Sequence, residues 1–345
     1  MSTATYPNDR EEELLHLARQ GDERAYGDLV ASHRSALHAH CYRMLGSLDD
    51  ADDALQEALL RAWRGLPRFE RRSSIRTWLY KIATNCCLQL VARRPNRRLA
   101  LDYAPAAAPH TPPGGPLSES VWIQPYPDES LADENDATAP ATRYEQRESL
   151  ELAFVATLQH LPARQRAVLL LRDALDFSAA EVAQLLDTSV ASVNSALQRA
   201  RHSVEDRVPE PSQQATLRSL GDKRTRELLD RYIAAWDAVD IDGLVELLTS
   251  DVVWTMPPLS TWYQGLDAVI PLLVEYPLTE RWRHLPTRAN GQLAVGCYLW
   301  DAEKRHYGAA VIDVLTLRGN AIAEVTGFIS PRLFARFGLP QQLAD

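Results

Sequence analysis

The chain has 345 residues, long enough for two or three domains, and an ordinary 46% apolar content that can build sizeable cores. Its four cysteines have no C-x-x-C spacing and there is no His-x-x-x-His pair, which argues against a structural zinc site or a disulfide framework and fits a reducing compartment. The N-terminus MSTATYPNDREEE lacks an apolar core and no apolar run nears the ~20 residues of a membrane span, so a soluble, cytoplasmic protein is expected, with no cofactor or metal implied. The formal net charge of −9 is an average over unequal segments.

In chain order, residues 11–98 read as helices. Leu14, Leu15 and Ala18, then Tyr26, Leu29, Val30 and Leu37, recur at helical spacing. After Gly46-Ser47, Leu48, Leu55, Leu59, Trp63 and Leu66 form another stripe with Asp49, Asp52, Asp53 and Gln56 opposite, and Pro67 ends that helix. Thr77 to Val91 make a further helix. From Arg61 to Arg98, eleven Arg/Lys face a single acid, Glu70, for a local charge of +10.

Residues 99–142 change character: proline-rich, alanine-rich and acidic, they predict a flexible linker, in which VWIQPYP is apolar enough to dock. Helix returns over 143–208. Within it, FSAAEVAQLLDTSVASVNSALQRARHSV predicts two helices around a tight turn, the first opened by the capping box Ser178/Glu181. In the second, Val190, Val193, Leu197, Ala200 and Val204 form the expected buried stripe. Ser189, Ser192, Asn194, Ser195, Gln198, Arg199 and Arg201 face outward. A polar VPEPSQQ follows. Arg224 to Ala238 are helical, and then VVWTM, QLAVGCYLW, YGAAVIDVLTL and AIAEVTGFI read as strands with turns at Asn290-Gly291 and Gly319-Asn320. Residues 222–345 therefore form a separate α+β domain.

Hydroxyls, amides and arginines on one helix face suit the major groove, where amides and Arg read base edges and Ser holds phosphate; a polar bundle surface would carry similar residues. In RFERRSSIRTWLYKIATNCCLQLVARR, cations alternate with Phe69, Trp78 and Tyr80, a composition that tracks a phosphate backbone and stacks unpaired bases, though an arginine-rich amphipathic helix is also a common solvated face.

The segment GSLDDADDALQEALLRAWRGLPRFERRSSIRTWLYKIATN resembles region 2 of the extracytoplasmic-function (ECF) sigma factors of the sigma-70 family, and LPARQRAVLLLRDALDFSAAEVAQLLDTSVASVNSALQRAR resembles their region 4. The resemblance implies two all-α sigma domains, residues 10–98 and 143–208, that bind core RNA polymerase and promoter DNA. By it, Asp52, Asp53, Gln56 and Glu57 bind the clamp helices of the polymerase β′ subunit. Arg72, Ser73, Ser74, Arg76, Thr77, Trp78, Lys81 and Asn85 melt and read the −10 element. The face from Ser189 to Arg201 reads the −35 element, and region 4 also seats on the β-subunit flap. The family often has cations where this chain has Asn194 and Ala196, which implies weaker backbone contacts there.

The C-terminal run LLDRYIAAWDAVDIDGLVELLTSDVVWTMPP, with WYQGLDAVIPLL and the strands, resembles the SnoaL-like family, cone-shaped α+β domains with an internal pocket. Tyr232, Trp254, Met256, Trp282, Tyr298 and Asp313 are the residues expected to line a pocket for a small ligand. In isomerase-like relatives a carboxylate base stands where this chain has Met256, and a thioether cannot take a substrate proton. Asp313 and His284 remain as ionisable groups, with Asp313 assignable to either sheet face. The expected function is thus a sigma factor, not an enzyme, with a C-terminal domain that modulates it. The alternatives are a SnoaL-like cyclase, isomerase or hydrolase fused to a DNA-binding module, and a repressor using the helix-turn-helix alone.

Overall fold

The computed structural model describes residues 7–94, 96–118, 121–131, 147–205, 207 and 211–345. These fall into two compact units. One takes the described residues within 1–96, 130–137 and 158–206; the other takes those within 97–129, 138–157 and 207–345.

The first unit is helical. Helices α1 (Pro7–Arg19), α2 (Glu23–Leu45), α3 (Leu48–Gly65) and α4 (Ile75–Val91) form a bundle whose boundaries follow local chemistry. Asp22 caps α2 by accepting from the Arg24 and Ala25 amides, and Gly46 closes it in the left-handed region (φ 68°) with its N–H on the Tyr42 carbonyl. Ser47 and Ser74 cap α3 and α4, and Pro67 turns the end of α3 into a tighter helical turn. Ala51, Ala54, Ala58 and Ala62 are buried along α3, small enough to let neighbouring helices approach closely, and Leu37, Cys41 and Met44 of α2 and Leu79 and Ala83 of α4 are buried too.

Farther along come α5 (Leu152–His160), α6 (Ala163–Leu169), α7 (Ala179–Leu185) and α8 (Val190–Glu205), and α6 runs on into a wider turn over Leu170–Ala174. The helix-turn-helix α7–α8 has the predicted capping box: Glu181 N–H donates to Ser178 Oγ and Ser178 N–H to the Glu181 carboxylate. Val193, Leu197 and Ala200 are buried as expected, but Val204 is half-buried and Val190 is 44% exposed. The stripe misassigned Val190 because it stands in the first turn, ahead of the neighbours that cover Val193.

The second unit is α+β. A sheet ordered β2-β1-β6-β5-β4-β3 is built from β1 (Leu248–Thr255), β2 (Trp262–Gln264), β3 (Trp282–Ala289), β4 (Gln292–Asp301), β5 (His306–Arg318) and β6 (Ala321–Ile329), with β7 (Gln342–Leu343) added to β5. Of these pairings, β1–β6 alone is parallel. Helices α9 (Gln213–Asp237), α10 (Ile241–Val245) and α11 (Leu266–Glu275) share one core with it, including Leu228, Tyr232, Trp236, Val252, Trp254, Val269, Leu293, Val295, Leu315 and Val325. The chain breaks helical geometry inside α9 at Gly221 (φ 75°, ψ 159°), beside the predicted start of the domain at residue 222. Both predicted turns are present, with Asn290 and Gly291 at φ 56° and 71° and Gly319 at 62°.

The linker expectation needs correction. Residues 97–118 and 121–129 lie along the C-terminal sheet. Ala107 N–H donates to Trp262 O (2.8 Å) and Leu117 N–H to Pro258 O (2.8 Å). The Trp262 indole donates to Ala104 O (2.7 Å) and the Tyr263 hydroxyl to Thr111 O (2.7 Å). Trp122, Ile123 and Tyr126 are buried. Prolines hold this stretch extended and remove donors, so it covers a sheet edge with few amides left to satisfy, and its aromatics supply the apolar burial. Residues 132–142 of that expectation lie outside the described residues. Residues 147–157, expected as the start of a region-4 domain, also belong to the second unit: Leu152 N–H donates to Gln292 Oε1 and Gln214 N–H to the Glu151 carboxylate.

Candidate nucleic-acid interface

The acidic positions of α3 share a face. Asp53 and Gln56 are exposed, and Asp52 and Glu57 half-buried. Asp52 meets His38 Nε2 at 3.2 Å, Asp53 meets Arg94 at 3.5 Å, and Glu57 meets Arg61 at 2.6 Å. Neighbouring Asp50 is buried and paired with Arg94.

The expected −10 group divides on inspection. Ser74 Oγ accepts from the Thr77 N–H (3.1 Å) and shares a hydrogen bond with Thr77 Oγ1 (2.9 Å), and Thr77 is buried. These two hydroxyls cap α4. Trp78 is half-buried against Phe69, ring centroids 4.9 Å apart, and a Cβ on Gly65 would stand 3.2 Å from its ring. Arg72 is exposed and pairs with Glu70 (2.6 Å), while Ser73 and Asn85 are half-buried.

Arg76 and Lys81 do not face open solvent alone. The Arg76 guanidinium donates to Leu175 O (2.9 Å) and lies over the Phe177 ring at 4.4 Å and the Tyr80 ring at 5.3 Å. Lys81 Nζ donates to Gln184 O (2.9 Å) and to the Asp187 carboxylate (2.8 Å). Asp187 sits in the turn of the helix-turn-helix at φ 48°.

A second joint lies beneath. Arg166 is 1% exposed, and its guanidinium donates to Met44 O, Gln159 Oε1 (2.6 Å), Gln159 O (3.1 Å) and Leu161 O (3.2 Å). Gln159 Nε2 donates to Arg43 O at 3.1 Å. Arg43 and Met44 end α2, so Gln159 and Arg166 supply donors to carbonyls a helix end leaves unpaired, and the cation suits the negative end of the helix. Burial lowers the Arg166 pKa to about 10. No sequence signal pointed to it. Nearby, burial drives the His40 pKa down to about 3, and Nε2 meets Thr84 Oγ1 at 2.9 Å.

On α8, Ser189, Ser192, Asn194, Ser195, Gln198, Arg199 and Arg201 are all exposed. Ser189 Oγ accepts from Ser192 N–H and so caps the helix. Arg201 is held by both oxygens of Asp173, at 2.8 and 2.7 Å.

In the C-terminal core, the Tyr232 hydroxyl donates to Asp313 Oδ2 (3.0 Å), and Cys297 Sγ lies 3.5 Å from the same oxygen. All three side chains are buried; burial raises the Asp313 pKa, with the Tyr232 hydrogen bond acting against it. Asp313 therefore sits in the core, and its carboxylate is engaged by the protein. His284 Nδ1 meets Asp237 at 2.7 Å. Trp254, Met256 and Trp282 belong to this core, the last two half-buried. Tyr298 does not: past a bulge after Cys297, its ring packs on Phe334 (5.0 Å) and its hydroxyl donates to Pro340 O (3.0 Å). A cavity of about 600 Å³ in this unit is lined instead by Arg226, Leu229, Pro286, Arg288, Leu293 and Phe337, among others.

Comparison with known proteins matches these parts. Residues 29–97 match the family described as Sigma-70 region 2, residues 151–203 Sigma-70 region 4, and residues 229–325 the SnoaL-like domain. The ECF RNA polymerase sigma factor SigG of Mycobacterium tuberculosis is 42% identical over 332 residues, covering 94% of this chain and 86% of that protein. The sigma factor SigW of Bacillus subtilis is 28% identical over 189 residues, 54% of this chain and 90% of its own. The crystal structure of the extracytoplasmic-function sigma factor SigJ of M. tuberculosis has the same fold, with TM-score 0.56 and 23% identity over 89% of this chain and 97% of that one. Two sigma regions followed by a SnoaL-like domain, together with an identity that runs nearly end to end, place this chain among the extracytoplasmic-function RNA polymerase sigma factors, transcription initiation factors rather than enzymes.

Proposed function

We propose that the two sigma regions divide promoter reading between them once bound to core RNA polymerase. Asp53 and Gln56, with Asp52 and Glu57 beside them, are the polymerase-facing group on α3, for the β′ clamp helices. Arg72, Arg76, Lys81 and Asn85, with Ser73 and the edge of Trp78, hold the separated strand of the −10 element. Ser74 and Thr77 serve them by capping α4. The seven outward residues of α8 read the −35 element, while the rest of region 4 meets the β flap. The observation that carries this reading is that all seven α8 residues stand exposed on a helix whose opposite face is buried in a helix-turn-helix.

The C-terminal domain modulates the sigma regions through its hold on the intervening chain. Asn290 binds Tyr126 on one side of residues 127–149 and Leu150 on the other, so both ends of that connection are held by the C-terminal domain.

Run-off transcription with purified core polymerase tests the main reading. The full chain is expected to support initiation from its promoter, and R72A/R76A/K81A to retain polymerase binding while losing strand opening, read by permanganate reactivity of unpaired thymines. Strand opening by the triple variant at the wild-type level rules the assignment out.

A further inference from the structure

Resting on the assignment of Arg76 and Lys81 to the −10 strand, we infer that the elbow of the helix-turn-helix is a docking surface for α4, and that this docking and single-strand DNA compete for the same two cations. The elbow offers α4 what a nucleic acid would. Phe177 presents a ring face to Arg76, as a base would, and Leu175 O accepts from the same guanidinium. Asp187 and Gln184 O supply anionic and carbonyl oxygens to Lys81, as a phosphate would. Tyr80 closes the patch edge-on to Phe177 at 5.4 Å. A strand laid along α4 must displace the elbow's acceptors before it can take up the Arg76 guanidinium and the Lys81 ammonium.

The strengths suit a reversible cover. Lys81 and Asp187 are 37% and 77% exposed, and an ion pair so exposed is weak and screened by salt. A polyanion offering several phosphates outcompetes it. The free chain thus holds these two cations engaged by the elbow, and promoter engagement frees them for the strand.

The composition provides a direct assay, because Lys81, Lys223 and Lys304 are the chain's three lysines. Lys223 and Lys304 are 88% and 70% exposed. In the full-length free protein, pulse acetylation read by mass spectrometry is expected to modify Lys81 roughly tenfold more slowly than Lys223. Asp187→Asn keeps a residue that tolerates the left-handed turn and removes the ion pair, so it should speed Lys81 acetylation about two- to fivefold. Glu205→Gln, which removes a charge of the same sign from the far end of α8, should leave the rate unchanged. Affinity for a fluorescein-labelled, mixed-sequence 20-nucleotide single strand should rise about two- to fivefold in D187N over E205Q at low salt. Equal acetylation of Lys81 and Lys223 in the free chain overturns the docking itself. Release of Lys81 by D187N with no gain in strand affinity overturns the competition with DNA, and leaves transcription by the R72A/R76A/K81A variant to judge the strand-reading assignment separately.

Discussion

Asn290 and Tyr126 exchange two hydrogen bonds, the Tyr126 N–H to Asn290 Oδ1 and the Asn290 N–H to Tyr126 O, each 2.8 Å long. The remaining side-chain donor, Nδ2, goes to Leu150 O at 2.7 Å. One fully buried residue in the β3–β4 turn therefore fastens two stretches of chain. Asn290→Gly keeps the left-handed backbone and loses only the side chain. It should cost about 2–4 kcal/mol through the buried groups left unpaired at Tyr126 and Leu150. Urea denaturation measures that loss, and faster tryptic cleavage after Arg98 in native conditions reports release of the strap.

Glu151 gives the second unit a pH dependence. Burial raises its pKa to about 7, against two backbone hydrogen bonds from Gln214 and Gln213 that lower it. A carboxyl whose folded pKa lies above its unfolded value holds its proton longer in the folded state. Stability is therefore lost as pH rises from about 4.5 through 7, by roughly 3 kcal/mol. Glu151→Gln retains an acceptor for the Gln214 N–H and should flatten the urea midpoint across that window.

The two arginines of α8 should differ on DNA. Arg199 is exposed with its guanidinium unengaged by any carboxylate among the described contacts, whereas Arg201 is clasped by both oxygens of Asp173. Arg199→Ala should weaken −35 binding by the holoenzyme and lower the salt slope by about one. Arg201→Ala should do less, and Asp173→Asn should strengthen binding by freeing Arg201. Filter binding across a salt series separates the three.

Arg166 should not tolerate lysine. Its fork reaches four carbonyl oxygens in fixed directions, and an ammonium cannot span them. Arg166→Lys should destabilise the helical unit by about 2–4 kcal/mol, seen in chemical denaturation as a lower midpoint with the slope retained.

What could be read from the sequence was what local chemistry decides. The capping box at Ser178, the spacing of Val193, Leu197 and Ala200 and the Asn290-Gly291 turn each depend on residues close in the chain. Strand β3 was missed because WRHLPTRA is polar and carries Pro286, which an edge strand permits. Within residues 99–142, only VWIQPYP carries a docking signal; the rest reads as a flexible linker because composition reports its own entropy and not the sheet edge waiting for it. Ser74 and Thr77 were read as DNA contacts, although a Ser three residues ahead of a Thr at a helix start is also a cap. The role of Arg166 was beyond reach: the acceptor that ties it to the end of α2, Met44 O, is 122 positions away in the chain.

Two of the joints between the bundle and the later helices of the first unit differ in temperament. The Lys81–Asp187 pair is wet and ionic, whereas the Arg166 guanidinium answers to neutral carbonyls in a dry setting. Rising ionic strength loosens the first and hardly touches the second. If the elbow lifts from α4 as inferred above, it swings about a pivot at Arg166, which holds α6 against the end of α2.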